Sequence, residues 1–335
     1  MRQLTFIEPG VLEWWDVPEP RLDSPKGAIV RPIAVARCDV DRPIVTGSAP
    51  FPGPFAFGHE FVAEVEELGD DVRNFTRGQQ VLVSFQISCG ECARCRRGLT
   101  GSCANVPSGA AYGFGGGDWG GALSELVRVP FAESMLVALP DGIDPASVAS
   151  CDNTADGWRT VGPYLQESPG AAVLVVGGLA ASVGLYAAAM AVALGASDVD
   201  YCDTDIERLE IAQRVGAHPV EGPPRESTSR YPITVDASAS LAGLHRALRS
   251  VEPGGVCTSV GIFFKPETPV PLREMYNTGV TFKTGRVNAR AEMPHVLDLV
   301  QTGRFHPGLI TTRMARWDEA REALDDPSAK VVIVR

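Results

Sequence analysis

The sequence predicts an α/β chain in two parts, an antiparallel, partly closed β domain and a doubly wound parallel sheet. Three observations carry this. Residues 1–150 hold short β-type runs broken by Gly and Pro. Near residue 171 the texture changes to continuous apolar runs that alternate with helical segments, the pattern of repeated βα units. The end of the chain, residues 290–335, mixes helices with small β pieces and closes on VVIV, which is expected to return to the first domain.

The β domain is read from GAIVRPIAVA, FVAEVEEL, QQVLVSF and LSELVRVP. The parallel sheet begins with AAVLVVGG, an apolar run suited to burial on both faces. SVGLYAAAMAVALGA then reads as an alanine-rich helix with Gly195 at its C-terminal end. DVDYCD, YPITVDAS, GGVCTSVGIF and VTFKTGRV are further strands; TDIERLEIAQRVGA and LAGLHRALRSV are helices between them. The expected bounds are 1–150 with 290–335 for the β domain and 151–289 for the parallel-sheet domain.

Composition limits the function. A chain of 335 residues exceeds the ~250–300 at which single cores stop growing, so two domains are expected. No apolar run reaches the ~18–20 residues of a membrane helix. MRQLTFIEPG has no apolar signal core, so a cytoplasmic chain is expected, with its eight cysteines as thiols or metal ligands. A net charge of −11 argues against nucleic-acid or anionic-membrane partners.

The stretch CGECARCRRGLTGSC sets Cys89, Cys92, Cys95 and Cys103 in a C-x2-C-x2-C-x7-C pattern. Four thiolates enclose a tetrahedral zinc and leave no open position, which suits a structural ion in a lobe at 88–104. Cys202 and Cys257 read as small core residues. Cys38 in ARCDVDR and His59 with Glu60 in FGHE are candidates for a second, open zinc site. Spacing alone does not bring them together, and a lone histidine is more often a surface or core residue.

In VLVVGGLAASVG, small residues let the backbone approach a pyrophosphate at a helix N-terminus. The candidates are Gly177, Gly178, Ala181, Ser182, Val183 and Gly184. A strict GxGxxG fails, because Leu179 and Ala181 stand at the two earlier glycine positions, so a longer turn is expected; a plain βα turn is the alternative. Asp203 ends the next strand, where a carboxylate can accept from the adenosine ribose hydroxyls and oppose a 2′-phosphate. NAD rather than NADP is therefore expected, with a simple helix cap as the alternative role of Asp203.

Together with GGALSELVRVP and TGRVNARAEMPHVLDLVQTGRFHPGLITTR, these motifs run nearly end to end. The chain resembles the zinc-dependent medium-chain dehydrogenases of the alcohol and polyol type. The resemblance implies a GroES-like catalytic domain plus a Rossmann domain, two Zn per chain, an alcohol or aldehyde substrate, and a homodimer or homotetramer. It implies that Cys38 and His59 hold the catalytic zinc, with Glu60 beside it as a catalytic residue that exchanges with bound water, and Asp41 orienting the histidine. The third ligand should come from SCDNTADGW. Asp152, five residues before Gly157, which Trp158 follows, is the first choice, and Cys151 the second. Arg208 is implied to join Asp203 at the adenosine end, and Val260 and Gly261 to line the nicotinamide site. Phe55, Trp119 and Trp158 are read as cleft or core. One departure stands out: Val40 occupies a position where the family usually has Ser or Thr for proton relay, and valine can neither donate nor accept a proton. A zinc-free quinone or enoyl reductase and a non-catalytic dinucleotide sensor are the alternatives.

Overall fold

The computed structural model describes residues 1–223 and 230–335. Among them the chain divides into two compact units, Met1–Ala155 with Asn288–Leu297 and Thr311–Arg335, and Asp156–Val287 with Asp298–Ile310. These bounds differ from the sequence reading at both junctions. Cys151–Ala155 belong to the first unit although their helix, Cys151–Glu167, continues into the second. Asp298–Ile310 belong to the second unit, where Phe305 packs edge-on against Tyr186 and Arg304 donates to the Ala193 carbonyl at 2.8 Å.

The first unit carries β1 (Arg2–Glu8), β2 (Val11–Asp16), β3 (Ala28–Ala36), β4 (Phe55–Ala56), β5 (Glu60–Leu68), β6 (Gln80–Val83), β7 (Val127–Val129) and β8 (Leu136–Ala138). The second carries β9 (Val173–Val176), β10 (Val199–Asp203), β11 (His218–Glu221), β12 (Tyr231–Asp236), β13 (Val251–Ser259) and β14 (Thr281–Thr284); β15 (Arg313–Arg316) and β16 (Val331–Val334) return to the first. One sheet of the first unit runs β15-β16-β3-β5-β6-β8, with β7 also paired to β3, and a smaller one runs β2-β1-β4. β3 is central and hydrophobic, yet it contains Pro32, which cannot donate to a ladder. The register shifts between Pro32 and Ala34 accordingly, and Arg31 faces Glu64 across the pair, 3.3 Å apart.

Two strand registers decide what meets at one end of this sheet. Ala36 pairs with Glu60 on one side and with Val332 on the other. Cys38 lies two residues beyond Ala36, His59 one before β5, and Lys330 just before β16. Residues distant in the chain are thus delivered to one place by strand pairing.

The second unit is a six-stranded parallel sheet, β11-β10-β9-β12-β13-β14. Its order reverses between β9 and β12, and such sheets bind ligands at that switch point, beyond the strands' C-terminal ends. The four residues of β9 are all buried, as a strand covered on both faces requires. The helix Ala181–Ala193 following it is apolar nearly all round, and Gly195 just beyond takes φ +84°. Among the described residues no helix is long and apolar enough to cross a membrane.

Candidate active site

Cys38, His59 and Asp152 meet in the first unit. Each offers one ligand atom, and the three atoms lie within 4.8 Å of one another. Asp152 Oδ2 is 3.9 Å from Cys38 Sγ and 3.8 Å from His59 Nε2. A tetrahedral zinc with ligand bonds of about 2.0–2.3 Å needs its donors roughly 3.3–3.8 Å apart, so this set fits the ion closely. All three residues are buried, and thiolate, imidazole and carboxylate are zinc's usual donors. Asp152 reaches the site because it sits in the first turn of the helix Cys151–Glu167. Cys151, one residue earlier, turns away toward the carbonyls of Phe61 and Val83, and burial pushes its thiol pKa up.

Asp41 and Glu60 stand behind the ligands. Asp41 Oδ1 lies 3.5 Å from His59 Nδ1, while its Oδ2 accepts from the Cys38 backbone N–H at 2.8 Å. One carboxylate thus touches two of the three candidate ligand residues. Burial pushes Asp41 up to about 8, partly offset by the Cys38 N–H. Burial also raises Cys38 well above its usual value, with Glu60 and Asp152 adding to the effect.

Glu60 is fully buried and held at both oxygens. Oε1 accepts from the Asn153 N–H at 2.6 Å, and Oε2 pairs with Lys330 Nζ at 2.7 Å. Lys330 is itself fully buried and also donates to the Arg37 carbonyl at 2.7 Å. Sequence reasoning did not reach Lys330. A charge immediately ahead of a buried terminal strand was the available signal, since lysine is almost never fully buried unless paired. It also did not reach Phe114, whose ring lies 3.9 Å from the His59 imidazole, centroid to centroid. Val40 precedes the short helix Asp41–Thr46 and packs partly buried against the core of this unit. Phe55 is a core residue, Trp119 is half-buried at its margin, and Trp158 is buried.

Cys89, Cys92, Cys95 and Cys103 form the second donor cluster, again with ligand atoms within 4.8 Å. Backbone N–H groups are aimed at the sulfurs, from Cys95 and Ala104 to Cys92 at 3.4 Å and from Cys89 to Cys103 at 3.5 Å. Asn105 Nδ2 adds a donor to Cys89 at 3.3 Å. The Ala104 and Cys95 N–H groups draw the Cys92 thiol down to about 6, a thiolate-favouring setting. Asn288 ties the lobe down by accepting from the Gly101 N–H at 3.0 Å.

In the second unit, β9 leads into Gly177, Gly178, Leu179 and Ala180 before the helix starts at Ala181. A Cβ on Gly178 would sit 2.6 Å from Ser238 Cα, and one on Gly177 would sit 2.3 Å from Asp203 Oδ2. The turn is therefore packed tightly against both neighbouring strand ends. Leu179 and Ala180 donate to the carbonyls of Ser238 and Ala237. Ser182, Val183 and Gly184 are buried in the first turn of the helix, with Gly184 against Ala237. Asp203 ends β10, only 4% exposed. It accepts from Tyr201 Oη at 3.0 Å, from the N–H groups of Thr204 and Asp205, and from Arg208 through two bonds of 2.8 Å. Val260 and Gly261 follow β13, with the Val260 N–H on the Asp236 carbonyl and Gly261 closed against Ala239.

Residues 24–141 match the alcohol dehydrogenase GroES-like domain, and residues 182–302 match the zinc-binding dehydrogenase domain. A probable zinc-binding alcohol dehydrogenase of Mycobacterium tuberculosis is 32% identical over 310 residues, covering 90% of this chain and 79% of that protein. A glutathione-independent formaldehyde dehydrogenase of Pseudomonas aeruginosa is 33% identical over 233 residues, covering 64% of this chain and 57% of that protein. The solved alcohol dehydrogenase of Thermus sp. ATN1 is 31% identical, superposes with a TM-score of 0.90, and is matched over 99% of its length by all of this chain. The chain belongs to the zinc-dependent medium-chain dehydrogenase superfamily. It is an oxidoreductase of the alcohol dehydrogenase type, with a GroES-like domain and a Rossmann domain.

Proposed function

We propose that the protein catalyses the reversible reaction alcohol + NAD⁺ → aldehyde or ketone + NADH + H⁺, with two zinc ions per chain. The observation that carries this reading is the convergence of Cys38, His59 and Asp152 on a volume the size of one ion. Zinc held there supplies Lewis acidity, lowering the pKa of an alcohol hydroxyl and favouring loss of hydride from its carbon.

The chain's own residues have distinct tasks. Cys38 and Asp152 bring two negative charges, enough to nearly neutralise a dication and leave a moderate electrophile. Asp41 fixes the His59 ring. Glu60, locked to Lys330 and the Asn153 N–H, lends negative charge behind the ligands and is held away from substrate. With Val40 in place of a hydroxyl, the proton leaves by another route. The four-cysteine lobe is read as a brace with its own ion. The turn at Gly177–Gly184 takes the pyrophosphate and Asp203 takes the ribose. Arg208 spends its charge on Asp203 in a two-pronged pair and so is not offered to a 2′-phosphate, which favours NAD over NADP.

Primary alcohols, polyols and formaldehyde are the candidate substrates, the last in line with the similarity to a formaldehyde dehydrogenase. A homodimer or homotetramer in the cytoplasm completes the reading; eight unpaired cysteines suit a reducing compartment. The test counts zinc per chain and then follows NADH absorbance with a panel of alcohols. Two ions and NADH growth are expected. One ion, or two ions with no turnover on any alcohol or aldehyde, would overturn the assignment.

A further inference from the structure

Asn153 is 1% exposed, with its main chain against Glu60 and its side chain against Cys38. Its N–H donates to Glu60 Oε1 at 2.6 Å, and its side-chain Oδ1 lies 3.1 Å from Cys38 Sγ. As a thiol, Cys38 donates to that oxygen. As a metal ligand, Cys38 is a thiolate with no proton, and a buried anion of this kind calls for a donor. An asparagine amide serves either partner, because a half-turn about its last bond exchanges Oδ1 for Nδ2 in the same space.

The same chain already shows the donor form of this contact. In the four-cysteine lobe, Asn105 turns Nδ2 toward Cys89 Sγ at 3.3 Å. The two metal clusters thus share a motif, one asparagine amide against one sulfur.

We propose that Asn153 is a positioning residue for the three-ligand metal site, its amide turning to donate to the Cys38 thiolate when the ion is held. This rests on the reading of Cys38, His59 and Asp152 as metal ligands. The amide stabilises negative charge on sulfur and fixes the direction from which Cys38 approaches the ion. Partners of this type typically alter metal affinity by about 10–100-fold.

The test uses the full chain loaded with Co²⁺ or Zn²⁺. Asn153→Leu keeps the branched shape and removes the donor; Asn153→Ala removes both and serves if the larger leucine folds poorly. Chelator competition should show the three-ligand site weakened about 10–100-fold with the lobe unchanged. The thiolate-to-cobalt charge-transfer band of that site should move to lower energy, because an undonated thiolate holds its electrons less tightly. Asn105→Leu should weaken the lobe alone. Affinity within twofold of wild type and an unshifted band in both Asn153 variants would overturn the proposal, as would equal weakening of both sites. A wild-type chain holding a single ion would instead sink the metal assignment itself, and this inference with it.

Discussion

Replacing Lys330 by methionine tests the electrostatic frame behind the metal ligands. Lys330 and Glu60 are each 0% exposed and 2.7 Å apart. Methionine fills similar volume but removes the cation, leaving a buried carboxylate with the Asn153 N–H and the more distant Ser150 hydroxyl at 3.5 Å, and the Arg37 carbonyl short of a partner. Breaking one side of a buried pair costs about 3–5 kcal/mol. With a urea m-value of about 2 kcal/mol/M, the midpoint should fall by roughly 1.5–2.5 M. The assay is urea unfolding of the zinc-loaded protein, followed by a probe in the first unit. The double variant Glu60→Gln/Lys330→Met removes both charges while Gln can still accept from Asn153, so it should recover at least about 1 kcal/mol. A midpoint shift below about 0.5 M for Lys330→Met, or purely additive losses in the double variant, would refute the reasoning.

Asp152→Ala should lose one zinc per chain while Cys151→Ala keeps both, as counted by atomic absorption; loss only in the cysteine variant would reverse the ligand choice. Asp203→Ala should raise the NAD KM by about tenfold to a hundredfold, as expected for hydrogen bonds to a charged group, and should narrow the preference over NADP. Cys92→Ser should empty the lobe and lower the unfolding midpoint while the other zinc stays bound, which metal counting and denaturation read together.

Local periodicity and turn chemistry made the Rossmann half legible: β9, its glycine turn and the apolar helix after it fall where the texture changes. The two donor clusters were legible for a different reason. C-x2-C-x2-C is a local pattern, so Cys89, Cys92 and Cys95 announce their own clustering. Cys38, His59 and Asp152 needed the family resemblance, because their meeting depends on the β3–β5 register and on one helix start, both long-range facts. Lys330 lay beyond both routes. Its partner Glu60 is 270 residues away, and the β16–β3 and β3–β5 pairings together place the lysine against it. Phe114 escaped for a similar reason, sitting in a glycine-rich loop with no periodicity to say what its ring would cover. The assignment of Asp298–Ile310 to the second unit follows from tertiary packing of Phe305 on Tyr186 and Arg304 on Ala193, which local pattern does not carry.

The crowding of acids around this site has a consequence for pH. Cys38, Asp41, Glu60 and Asp152 are all buried within one cluster, and Lys330 is the cation set directly among them. Taken with the protein's groups alone, burial holds Asp41 up at about 8 against 3.8 for a free carboxyl. The folded chain then binds more protons than the unfolded one between those values, so stability should fall as pH rises through that window, by up to about 1.4 kcal/mol per pH unit for one proton. A dication at Cys38, His59 and Asp152 favours the charged acids and opposes this loss. Wild type in zinc buffer should therefore show a flatter midpoint from pH 5 to 8 than Asp152→Ala, which is expected to keep only the lobe's ion. The gap between the two curves should widen toward pH 8. Parallel curves would mean that the acids are neutralised without the ion, and the charge balance assigned to this site would be wrong.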